Sequence, residues 1–89
     1  MGPPLVDTEW KCFSGSKAVK DDAAKCVAKK LIRLKTMECA AQGTPEVLSQ
    51  IHVCQKVLYT LQAQIGSAHC YYFYLRADIE LRKLDLLIF

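Results

Sequence analysis

Cys26 is the cysteine in this chain best placed for chemistry. Lys25 precedes it, and Lys29 and Lys30 follow within about one helical turn. Ammonium groups near a thiol favour its thiolate, the nucleophilic and oxidisable form. Cys26 is therefore the candidate reactive thiol. The plain alternative is a half-exposed cysteine that packs as a small apolar residue. The other thiols are Cys12, Cys39, Cys54 and Cys70, and the intervening stretches are 13, 12, 14 and 15 residues long. No two lie close enough for a CxxC zinc or redox pair. Five is an odd number, and no secretory signal is legible, so free thiols in a reducing compartment are expected rather than a disulfide framework.

The histidines offer less. His69 adjoins Cys70, but neighbours on a helix point about 100° apart, which is poor for a nucleophile–base bond. His52 stands four residues before Lys56 on a polar face and reads as a solvated side chain. There is no Gly-rich phosphate loop, and no carboxylate pair at acid/base spacing stands out. The expectation is a non-enzyme with no catalytic constellation, no metal site and no cofactor.

Bases form the next candidate site. The net charge is +3, and all of it falls in residues 1–43. Lys25, Lys29, Lys30 and Arg33 are read as one basic face of a helix, able to contact phosphates or another anion. Aromatic residues are not interleaved with them, so single strands lack a stacking platform. The sequence pI near 8.6 is also below the value above ~9 of a committed nucleic-acid domain. Nucleic acid is thus the secondary partner expectation.

Three helices must position these residues. The first is expected from a Ser16 N-cap to about Ala41, ending at Gly43. Ala23, Val27, Leu31, Leu34 and Ala41 share one side at 100° per residue, with the bases assigned to the other. Gly43-Thr44-Pro45-Glu46 reads as a helix stop, a Thr cap, a Pro at the first helical position and an acid in the first turn. The second helix then carries Val47, Ile51, Cys54, Leu58, Leu61 and Ile65 at helical spacing up to Gly66. Ser67 is the candidate cap of a third helix over His69–Phe89. The run Tyr71-Tyr72-Phe73-Tyr74-Leu75 has strand-forming composition, so a strand before residue 75 competes with one continuous helix.

Eighty-nine residues suffice for one small domain. The hydrophobic share is 52%, slightly above the usual ~45–50%, which excludes a disordered tail or a collagen-like repeat. The expected fold is all-α: a three-helix up-down-up bundle over residues 17–89, preceded by an irregular arm over 1–16. Trp10 and Phe13 would pin that arm. No window reads as a transmembrane span, and the default location is intracellular, cytoplasmic unless imported.

The third helix has two apolar stripes: Tyr72, Leu75, Ile79 and Leu86 on one side, and Tyr74, Ala77, Leu81, Leu84 and Ile88 on the other. A three-helix domain has one core, so each helix needs one stripe. Either the third helix lies in the groove between its neighbours under the arm, or one stripe faces another chain. The chain also ends in Leu86-Leu87-Ile88-Phe89. The leading expectation is therefore a protein–protein interaction module, a small subunit or adaptor. It would dock on a larger assembly or its own copy through Tyr74, Leu81, Leu84, Ile88 and Phe89.

Overall fold

The computed structural model describes residues 4–6, 20–40 and 44–88. Three helices account for nearly all of them: α1 (Lys20–Ala40), α2 (Pro45–Gln64) and α3 (Cys70–Ile88). They form an all-α, up-down-up arrangement. The middle helix packs against both others, most extensively against α3, while α1 and α3 make little direct contact.

Local chemistry sets the ends. Asp21 and Asp22 lie in the first turn of α1, where carboxylates meet the positive end of the helix dipole. Pro45 opens α2 after Thr44. The Leu48 N–H donates to the Thr44 carbonyl at 3.0 Å, but the Thr44 side chain makes no capping bond. Pro at the first position, where its missing N–H is harmless, and Glu46 in the first turn therefore do the starting. At the far end Gly66 adopts φ 91°, a left-handed conformation that a side chain would penalise. Ser67 organises the turn that follows: its Oγ accepts from the His69 N–H at 3.1 Å and donates to Gln64 Oε1 at 2.7 Å. The first bond of α3 runs from the Phe73 N–H to the His69 carbonyl. The expected Ser16 cap, the arm anchors Trp10 and Phe13, and Ala41 lie outside the described residues.

Residues 71–75 are helical. Cys70, Phe73 and Tyr74 pack against the core in register with buried Ala77, Leu81 and Leu84. Those positions follow a 3.6-residue period. A strand would have set Tyr72 and Tyr74 on one face instead. Burial of that stripe overrides the local β preference of the aromatics.

The core joins Ala23, Val27 and Leu34 of α1, Ile51, Cys54, Leu58 and Leu61 of α2, and Ala77, Leu81 and Leu84 of α3. It also contains Leu5, which is fully buried. No apolar pattern in the arm singles that residue out.

Candidate functional site

The two stripes of α3 point in opposite directions. Leu81 and Leu84 have no exposed surface, and Tyr74 and Ile88 are partly buried against them. This corrects the sequence expectation: the stripe chosen for docking is the chain's own core stripe. Phe89 lies outside the described residues. The other stripe is the open one. Tyr72 is 49% exposed, Leu75 42%, Ile79 52% and Leu86 83%. The reason for the reversal is packing partners. Ala77, between Tyr74 and Leu81, is small enough to let α2 approach, and the outward stripe has no comparable small residue at its centre.

Charge follows the same division. Arg76 stands four residues after Tyr72, Lys83 four after Ile79, and Arg82 four before Leu86. Each base is therefore about 40° around the helix from a residue of the open stripe. The acids Asp78, Glu80 and Asp85 sit at the same spacing from Tyr74, Leu84 and Leu81 of the buried stripe. Arg82 Nε donates to Asp78 Oδ2 at 2.9 Å and Lys83 Nζ to Glu80 Oε2 at 3.4 Å. The outward face of α3 is thus apolar, aromatic at its N-terminal end and bordered by bases. Tyr71 and Tyr74 rings meet at 5.7 Å, and Tyr72 stacks on Phe73 at 5.1 Å, which stiffens that end.

Glu80 also closes the seam with α2. Gln50 Nε2 donates to both the Glu80 carbonyl and its Oε1 at 3.0 Å, and Cys54 Sγ donates to the same carbonyl at 3.3 Å. The Gln50 hydrogen bond, above all, holds the Glu80 carboxyl below the usual carboxylate range. Burial pushes the Cys54 thiol up to about 12. On the α1–α2 side, Glu38 accepts from Gln55 at 3.0 Å and from Lys35 at 3.1 Å. Those two bonds, Gln55's first, lower its carboxyl as well. His52 Nε2 is 3.6 Å from Glu38 and well exposed.

The basic face assigned to α1 does not hold together. Lys30 is only 8% exposed, and its Nζ donates to the Leu5 carbonyl at 2.7 Å. Arg33 Nη1 donates to the Pro4 carbonyl at 3.3 Å. Lys25 and Lys29 face solvent. Two of the four bases therefore contact the chain's own main chain. The signal was present in the spacing: Lys30 follows Val27 by three residues and precedes Leu34 by four, which places it beside the core stripe. Cys26 is half-buried against the core.

Residues 4–6 complete the arrangement. The Leu5 N–H donates to Asp85 Oδ1 at 2.9 Å and the Val6 N–H to Oδ2 at 3.2 Å. The tripeptide thus bridges α1 and α3, which otherwise scarcely meet. Beside it lies a depression of about 600 Å³ lined by Pro4, Val6, Arg82, Asp85 and Leu86, which opens toward the outward face of α3. Among the described residues no cluster of three or more His, Cys, Asp or Glu side chains could hold a metal, and no helix is long and apolar enough to cross a membrane.

No protein-family model, curated protein or solved structure matches this chain.

Proposed function

We propose that the chain is a non-catalytic protein–protein interaction module, a small helical subunit or adaptor that docks through the outward face of α3. The exposed row Tyr72, Leu75, Ile79 and Leu86, opposite the core, carries this reading. Exposed apolar residues sharing one helix face mark an interaction surface, and tyrosines at one end suit an interface core. The bordering bases favour a partner helix whose apolar stripe is rimmed by acids. A second copy docked row to row would bring two sets of bases together, which is unfavourable. A larger assembly is therefore preferred over self-association.

The test uses two synthetic amphipathic helices with the same leucine stripe, one rimmed by Glu and one by Lys, titrated against the full chain by fluorescence anisotropy. The Glu-rimmed helix binds, the Lys-rimmed one binds at least about tenfold more weakly, and a Leu75→Asp, Ile79→Asp double variant loses binding while keeping its helical circular dichroism. Failure of both helices to bind, or equal binding by the variant, overturns the reading. Light scattering on the chain alone reports self-association, and sedimentation with phosphatidylserine vesicles reports lipid binding. Either result in place of helix binding replaces the proposed partner.

A further inference from the structure

We infer that the groove between α1 and α3 is a peptide-recognition site, and that residues 4–6 of this chain are its resident ligand. The ligand class is a short peptide with a leucine anchor.

The groove reads backbone and side chain separately. Four consecutive main-chain groups are matched: the Pro4 carbonyl by Arg33, the Leu5 N–H by Asp85, the Leu5 carbonyl by Lys30 and the Val6 N–H by Asp85. Acceptors and donors alternate along the peptide, and cationic and anionic side chains alternate to meet them. Between them the Leu5 side chain enters the core with no exposed surface. Backbone bonds fix direction and register for any sequence, and the apolar pocket selects the anchor. Proline at position 4 fits this scheme, because the only group read there is its carbonyl and its lack of an N–H loses nothing.

The chemistry is unusual for a mere packing contact. A gap between two helices is ordinarily closed by apolar side chains, and burying an ammonium is costly unless it is hydrogen-bonded. Here a nearly buried lysine and a partly buried aspartate are both directed at main-chain atoms of a segment 25 and 80 positions away from them in sequence. Each of these polar groups would keep its hydrogen-bonding value for any peptide that presented the same backbone. The neighbouring depression lies against the same segment, on its α3 side.

The site is tested on the full chain carrying Leu5→Gly, which removes the anchor while leaving the groove residues in place. The probe is an acetylated, amidated, fluorescent peptide of the sequence Gly2-Pro3-Pro4-Leu5-Val6-Asp7. It binds the variant saturably, and binds the unaltered chain at least about tenfold more weakly, because a covalently attached ligand outcompetes a free one. Replacing the peptide leucine by aspartate, or Asp85→Asn in the protein, lowers affinity by at least about tenfold. A variant with unaltered helical circular dichroism that binds no peptide at concentrations up to about 1 mM overturns the inference. If Leu5→Gly does not fold, hydrogen exchange on the unaltered chain decides. Leu5 and Val6 amides that exchange faster than those of Leu58 and Leu81 show a segment that leaves its groove by local opening. Exchange only with global unfolding overturns the proposal.

Discussion

Lys30 and Asp85 grip the same residue from opposite sides. Lys30 Nζ lies 2.7 Å from the Leu5 carbonyl oxygen, and Asp85 Oδ1 lies 2.9 Å from the Leu5 nitrogen. One base from α1 and one acid from α3 thereby pair through a residue of the N-terminal segment rather than with each other. The backbone of that residue links α1 to α3, and its side chain belongs to the core that all three helices share.

Leu5 should therefore contribute to stability as a core residue does. Leu5→Ala is expected to cost about 2–5 kcal/mol, the range for deleting a fully buried leucine side chain. The Lys30→Met, Leu5→Ala double variant should cost less than the sum of its singles, because both act on one contact. Urea unfolding followed by circular dichroism measures each value. A Leu5→Ala effect within ~0.5 kcal/mol of zero, typical of a surface position, would mean the segment does not seal the core.

Leu84 and Leu86 are two residues apart and face opposite ways, the first fully buried and the second 83% exposed. Leu84→Asp should abolish cooperative folding, since it buries a carboxylate with no partner. Leu86→Asp should shift stability by no more than about 0.5 kcal/mol. Thermal melts of the two variants separate the core stripe from the open one. Equal destabilisation would mean that both faces of α3 are packed.

Much of this fold was legible in the sequence, and the reasons differ by element. The second helix is legible because Pro45 and Gly66 bound it and one apolar stripe runs between them. The third helix shows two stripes in the sequence, but which of them is buried does not follow from it. Periodicity gives the angle between stripes and says nothing about which one meets α2. The charges did hold a clue: Arg76, Arg82 and Lys83 flank the open stripe, whereas the acids that bond inward flank the buried one. Lys30 has the residue type of an exposed base, yet its spacing from Val27 and Leu34 places it at the core. Leu5 left no such trace, because a single anchor in an irregular segment has no period to reveal it.

Acid should loosen the two interhelical seams. Hydrogen bonds from Gln50, chiefly, hold Glu80 below its ordinary range, and those from Gln55 and then Lys35 do the same for Glu38. A carboxylate depressed in the folded state contributes stability that is fully present above its unfolded pKa, about 4.3. That contribution is lost as pH falls through the lower, folded value. Melting temperature should therefore vary little through these groups from pH 7 to about 5 and decline below. Glu80→Gln should flatten part of the decline. An unchanged acid slope in that variant would show that the Gln50 bond does not favour the ionised form.

Cys54 should be the least reactive of the described thiols under native conditions. Burial is the main cause that pushes it up to about 12, so at neutral pH about one molecule in ten thousand or fewer carries its thiolate. The thiol also donates to the Glu80 carbonyl, which favours the protonated form. Cys39 is exposed, and Cys26 is half-buried beside Lys29 and Lys30. Iodoacetamide labelling at neutral pH, read by peptide mass, should modify Cys39 first, Cys26 more slowly and Cys54 only at the rate of unfolding. Cys26 ahead of Cys39 would show that its lysine neighbours outweigh its burial and activate it. The same displacement has an alkaline consequence. A thiol raised in the folded state contributes stability below its unfolded pKa of about 8.5, and that contribution is lost as pH rises toward the folded value. Stability should accordingly fall between about pH 8.5 and 12 by up to one proton's worth, about 1.4 kcal/mol per pH unit. Cys54→Ala, although less stable throughout, should lack that component. Rapid native labelling of Cys54 would mean that the α2–α3 seam opens on its own.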